Sequence, residues 1–304
     1  MNKLAFQNAT LFLWVSLMAS SFVVSQALLP FTSPLVGTAL RFILGSVFML
    51  PFVIFSFSAL GIRSLGMKVF VQYGFISLFL VLFFVGMFTA LKTTSPMHTS
   101  VIYTLVPVIS VLFTFIGLKV ATPKHQLLGF IFGIVGAVWV LLTLHSTASS
   151  VVNINQGDVI FLLACCSLSM HVTLVKKWGA NVPAVLGAFY IMLCGSIIML
   201  PILLLFSSIE DTAWQDIQFW KILLYLTIFT TMATFFLQQY LVQVVGPNRL
   251  LAFTYLIPIL VALPELYILI IKEGDMSIVL FSMPGVTLTI LALYLISKQQ
   301  RFAI

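Results

Sequence analysis

The stretch "GSVFMLP" at residues 45–51 returns as "GSIIMLP" at residues 195–201, with five of the seven positions unchanged. Two further echoes keep nearly the same offset. "TLVP" (Thr104–Pro107) is answered by "YLIP" (Tyr255–Pro258), and Pro96 by Pro247, each 151 residues on. A single apolar match is weak, because a sequence of few residue types repeats by accident. Three matches at almost one offset point to an internal duplication, the pattern of membrane proteins built from two structural repeats. The first unit is read as residues 1–147 and the second as residues 148–304.

The composition decides the solvent. Hydrophobic residues make up 62% of the 304, charged residues 7%, and mean hydropathy is +1.20. A soluble domain carries about a quarter charged residues, so lipid must cover most of this exterior. A helix needs about 20 apolar residues to cross a bilayer. Cutting the chain at its charges and Pro/Gly clusters gives ten such runs, here called helices 1 to 10: residues 5–29, 34–58, 68–91, 96–118, 126–145, 158–177, 183–206, 220–244, 249–271 and 277–297. They are apolar on every face, unlike the alternating strands of a β-barrel. The first run is too long for a signal peptide and is followed by nine more. Cys165, Cys166 and Cys194 all lie inside apolar runs, where they read as packing residues.

Orientation follows from the basic residues. With the N-terminus in the cytoplasm, the inner segments hold Lys3, Arg63, Lys68, Lys119, Lys124, Lys176, Lys177, Arg249, Lys298 and Arg301, and the outer segments only Lys92, Lys221 and Lys272. Asp158, Glu210, Asp211, Asp216, Glu273 and Asp275 fall outside. Both termini are therefore expected in the cytoplasm. The net charge of +7 belongs to membrane ends and does not imply a nucleic-acid partner.

Five helices per half is an odd number, so the second half must enter the membrane from the opposite side. The expected fold is an all-α polytopic membrane protein, ten transmembrane helices arranged as two inverted five-helix repeats. Such repeats let each half adopt the other's conformation and open a central site to either face by turn. A duplication that merely built a stable bundle is the alternative. Gly45 and Gly195 are expected to let helices approach closely. Pro51 and Pro201 are expected to bend or end helices 2 and 7, while Pro107 and Pro258 interrupt helices 4 and 9 in mid-membrane. Gly129, Gly133 and Gly136 form a small-residue face on helix 5, for packing within the chain or for a dimer seam.

The chain resembles the EamA-type members of the drug/metabolite transporter superfamily. "ASSF" (Ala19–Phe22), "RF" (Arg41–Phe42), "ALKTTSP" (Ala90–Pro96), "HQLLG" (His125–Gly129), "QGD" (Gln156–Asp158) and "VGPNRLLAFTYLIP" (Val245–Pro258) stand in the family's order along nearly the whole sequence. Where the family often has a glutamate at the end of helix 4, this chain has Lys119; the second half keeps an acid nearby, Glu273. The resemblance implies secondary transport of small metabolites, commonly efflux, without ATP. No GxxxxGK[ST] phosphate loop is present.

Two charges lie within the spans, and both break the repeat. Arg41 corresponds to Ile191, and Glu265 to Thr114. At 1.5 Å per residue both sit about 9–11 Å below the outer boundary. A charge in lipid costs about 2.5–3.5 kcal/mol on insertion scales, so each is expected to face a wet cavity or a partner. Glu265 is a candidate cation-binding group, proton acceptor or gate, or else a structural ion pair with Arg41 or a cap for backbone freed near Pro264. Arg41 could also snorkel to outer headgroups. The two together could form an outer gate.

Further candidates for binding or gating are Trp14, Tyr103 and Tyr255 as pocket-lining aromatics, His171 as a satisfied interior histidine or a proton relay, and Gln239 and Gln243 on one face of helix 8. Asp158 is read as the N-cap of helix 6. The four histidines are scattered, there is no HExxH, and no catalytic residue, metal site or cofactor is expected. The function expected is secondary active transport of small organic solutes across the cytoplasmic (inner) membrane by alternating access, with efflux of amino acids or amphipathic metabolites favoured and protons a candidate coupling ion. An importer or exchanger of the same fold is the alternative, and an integral membrane enzyme the alternative from another class. The partners implied are the substrate and the bilayer; oligomeric state is left open.

Overall fold

In a hydrocarbon solvent every backbone N–H and C=O must find its partner within the chain, and a helix does this within a single segment. The computed structural model obeys that constraint. It describes residues 3–60, 66–119, 122–147, 154–179, 182–206, 209–268, 270–271 and 277–297, and among these there is no strand. The expected boundary between units, at residues 147 and 148, adjoins a segment outside the described residues, as does Glu273.

Ten helices are long and apolar enough to cross a membrane: Leu4–Leu28, Pro34–Ser56, Met67–Ala90, Pro96–Gly117, Lys124–Thr143, Gln156–Trp178, Ala184–Phe206, Ile217–Val245, Asn248–Ile268 and Ser277–Ser297. These are helices 1 to 10. The end of the bundle at which helix 1 starts is called the near end, and the other the far end.

Three helices are interrupted, each for a local reason. Helix 4 ends a first piece at Tyr103 and resumes at Val106. Pro107 has no N–H to give the preceding turn, and the gap is closed by tight bonds from the Thr104 and Leu105 amides to the carbonyls of Val101 and Ile102. Helix 9 repeats this before Pro258, with a 3-10 turn at Thr254–Leu256. Helix 8 contains a π-helical segment, Ile228–Ala233, in which the Thr231 hydroxyl donates to the Leu226 carbonyl at 2.8 Å. By contrast, helices 2 and 7 do not end at Pro51 and Pro201, which lie inside continuous helix. Lost proline bonds are tolerated in membrane helices because neighbours and local adjustment satisfy the freed groups.

Packing relies on small residues, as it must where lipid is as apolar as the side chains. The extensive contacts are helix 5 with 10, helix 3 with 6 and 7, helix 2 with 7, and helix 1 with 8 and 9. Helices 5 and 10 touch backbone to backbone: a Cβ on Gly136 would lie 2.6 Å from the Gly285 carbonyl oxygen, and one on Gly285 2.7 Å from that of Gly136. The small-residue face of helix 5 is therefore used within the chain. Between helices 2 and 7, the Phe42 ring fills the notch at Gly195, and the Met192 sulfur lies against Gly45.

Candidate functional site

The centre of the bundle is aromatic. Phe22, Phe83, Tyr103 and Phe161 meet edge-on or tilted at 5.3–6.1 Å between centroids, the arrangement that ring quadrupoles favour. Beside them lies a cavity of about 20 Å³ lined by Trp14, Met18, Tyr103, Phe84, Phe235 and Gln238, reaching Leu250 and Leu251 toward the near end. That volume admits little more than one water, so the cavity is closed. The indole Nε1 of Trp14 is buried and has no hydrogen-bond partner among the described residues. An apolar wall with a few unmet polar groups is the usual make-up of a small-molecule site.

Trp14 and Tyr103 thus line the cavity together. Tyr255 does not: its ring packs on Gly133 and near Phe130, in a separate cluster with Ala252 and Ile296. His171 is fully buried, with Nδ1 2.9 Å from the Ile76 carbonyl oxygen. Its ring lies 6.5 Å from that of Phe235, and its Nε2 has no partner among the described residues. Gln239 is buried with its amide nitrogen unpartnered, whereas Gln243 is exposed and donates to the Val182 carbonyl at 2.8 Å. The neighbouring Gln238, one turn position away, is the glutamine on the cavity.

Arg41 does not snorkel to a membrane surface; it turns inward and is 1% exposed. Its Nε donates to Thr231 Oγ1 at 2.9 Å, Nη2 to Thr230 Oγ1 at 3.0 Å and Nη1 to Ser25 Oγ at 3.4 Å. The guanidinium carbon stands 4.5 Å from the centroid of the Phe84 ring. Glu265 is not among these partners and is exposed on helix 9. The expected pairing of Arg41 with Glu265 is therefore corrected: one side chain reaches the bundle interior, while the other lies on its outside.

Each end of the bundle is tied by a polar contact. At the far end, Asn155, not Asp158, caps helix 6; Asp158 is the third helical residue and returns a bond to the Asn155 amide, completing a capping box. Its carboxylate also accepts from the Thr94 hydroxyl and lies 3.5 Å from His98 Nδ1. This joins helix 6 to the start of helix 4. At the near end, Arg249 Nη2 donates to Asn8 Oδ1 at 2.6 Å, joining the start of helix 9 to helix 1. Among the described residues no three His, Cys, Asp or Glu side chains gather as a metal site.

Ten apolar helices packed through glycines around a closed aromatic cavity define a polytopic α-helical membrane protein. The EamA-like transporter family model matches it twice, over residues 7–142 and 155–298. The chain belongs to the EamA-like transporter family, and so to the drug/metabolite transporter superfamily. It is 23% identical over 181 residues to the uncharacterized transporter YyaM of Bacillus subtilis (strain 168), a match that covers 60% of this chain and 58% of that protein. A crystal structure with 20% sequence identity superposes with a TM-score of 0.67 over 98% of both chains, a likeness of fold.

Sequence reasoning missed Phe84, Phe235, Ser25, Thr230, Thr231, Asn8 and Thr94. With aromatic residues at 14% of the chain, nothing marks Phe84 among the other phenylalanines. A signal did exist for the threonines, a "TT" pair facing an intramembrane arginine, but only the fold supplies the facing.

Proposed function

We propose that the protein is a secondary active transporter of small organic solutes in the cytoplasmic (inner) membrane, working by alternating access of two inverted five-helix repeats with both termini in the cytoplasm. The observation that carries this reading is the pair of end contacts. Asn8 and Asp158 are 150 positions apart, and His98 and Arg249 are 151 apart, the offsets of the repeated phrases. The near-end contact Asn8–Arg249 is thus the counterpart of the far-end contact Asp158–His98. Equivalent ties at opposite ends, with a closed cavity between them, are what an occluded intermediate requires: releasing one opens the site to one side only.

The reciprocal contacts of helices 2 and 7 support the same symmetry. Phe42 meets Gly195 and Met192 meets Gly45, while Phe42 and Met192, like Gly45 and Gly195, are 150 positions apart. Two successive family matches on one chain agree with it. The distribution of Lys and Arg places the near end in the cytoplasm. The aromatic cavity suits amino acids or amphipathic metabolites, with efflux as the direction and protons as the coupling ion.

Proteoliposomes loaded with a labelled amino-acid mixture test this. Saturable release, accelerated by an imposed pH gradient, is the expected result. Saturable uptake alone would make the protein an importer, and leakage without saturation would defeat the carrier mechanism.

A further inference from the structure

Arg41 carries a charge that the protein itself does not balance. A guanidinium has five N–H donors and no acceptor. Here it gives three bonds, all to uncharged hydroxyls, and among the described residues no carboxylate lies within ion-pair distance. The hydroxyls are set as acceptors: Thr230 and Thr231 both donate their own protons to the Leu226 carbonyl, leaving lone pairs for the guanidinium. The π segment of helix 8 presents both threonines side by side, and π turns are frequent at functional sites. Buried charges are ordinarily paired, and this one is held in place without a counter-ion.

The position of the charge suggests where the counter-ion comes from. Phe84 both lines the cavity and stacks on the guanidinium, so a single ring separates the two. That ring meets Phe42 and Phe235 edge-on at 5.8 and 6.1 Å, contacts that permit it to turn. The bond to Ser25, at 3.4 Å, is the weakest of the three and the easiest to exchange. On the cavity side, the unpartnered Trp14 Nε1 is a second N–H donor awaiting an acceptor.

We propose that Arg41 is the anion-receiving end of the substrate site: a carboxylate with an apolar body lays that body against Trp14, Phe83 and Phe235 and, as the Phe84 ring turns aside, places its carboxylate on the guanidinium. Arg offers carboxylates a paired donor geometry, and in a dry site one such contact strongly favours an anion over its neutral analogue. Ile191 occupies the repeat-related position, so the site has one polarity within an otherwise repeated frame. This inference rests on the transporter reading.

The test uses labelled 3-phenylpropionate bound to the purified full-length protein, with displacement by its amide and by 3-phenylpropylamine. The anion is expected to bind saturably and to compete at least tenfold better than the amide. Arg41→Gln brings the two within about twofold, and Arg41→Lys keeps a preference for the anion. In the wild-type protein, independent of any variant's folding, 3-phenylpropionate slows phenylglyoxal modification of Arg41 as read by peptide mass spectrometry. Absence of saturable anion binding, equal competition by the amide, or an undiminished preference in Arg41→Gln overturns the proposal. Transport separates the two readings: amide carried across proteoliposomes without anion preference defeats the Arg41 site alone, whereas anion bound but never carried defeats the transporter reading and leaves the site standing.

Discussion

The ring of Phe42 stands where a side chain would go on Gly195, its nearest atom 2.5 Å from the position of a Cβ. Helices 2 and 7 approach as closely as they do because that position is empty. At the counterpart, Gly45, the nearest obstacle is the Met192 sulfur at 2.9 Å, part of a flexible side chain that can move aside. Gly195→Ala should therefore destabilise by about 1–3 kcal/mol through overpacking, and Gly45→Ala by clearly less. Thermal unfolding in detergent, followed with a thiol-reactive dye, checks the order. Equal shifts would show that the notch is not rigid.

Asp158 serves both its own helix and the tie to helix 4. Asp158→Ala should lose about 1 kcal/mol from the cap and loosen the far end. With the three native cysteines replaced and Met18→Cys introduced in the cavity, a membrane-impermeant thiol reagent on the far side should label faster in the Asp158→Ala background. Asn8→Ala should instead speed labelling from the near side. Labelling from the same side in both variants would contradict the opposed-tie arrangement.

Trp14 distinguishes binding from structure. A buried, unsatisfied donor costs about 1–3 kcal/mol, so Trp14→Phe, which keeps most of the ring, should leave the melting temperature unchanged or raised. Transport should nevertheless fall about tenfold, the worth of one lost hydrogen bond to a charged group. A parallel loss of stability and transport would make Trp14 a packing residue.

Glu265 lies exposed, away from Arg41. Glu265→Gln should change stability by no more than about 0.5 kcal/mol and leave transport near the wild-type rate. Reversing both charges, Arg41→Glu with Glu265→Arg, should do no better than Arg41→Glu alone. Recovery in the double variant would restore the idea of an outer gate between them.

The spans were legible because lipid imposes a single, length-defined solution, and charges and prolines punctuate it. The glycine notches were legible for a related reason: only small residues permit close helix approach, so Gly45, Gly195 and Gly136 carry their role in their type. Side-chain facing was not legible. Arg41 and Glu265 share a depth in the sequence, but depth says nothing of azimuth, and the two point in unrelated directions. Gln238 and Gln239 were a coin toss without the helix rotation, and the π segment of helix 8 altered that rotation without a mark in the composition. Asp158 was assigned as the cap because it is the acid of the pair; Asn155, three residues earlier, does that work and leaves the carboxylate free to reach Thr94.

The wide turn of helix 8 has a consequence for the ancestry of the two halves. From Gly45 to Pro96 is 51 residues, and from Gly195 to Pro247 is 52. A π turn houses one residue more than an α turn, and Ile228–Ala233 lies inside the longer interval. On the repeat reading, a single-codon insertion after the duplication was absorbed there as a bulge instead of being pushed through the rest of the helix, and the two threonines it throws together are those that grip Arg41. The asymmetry that gives the carrier a charged end would then trace to one extra amino acid.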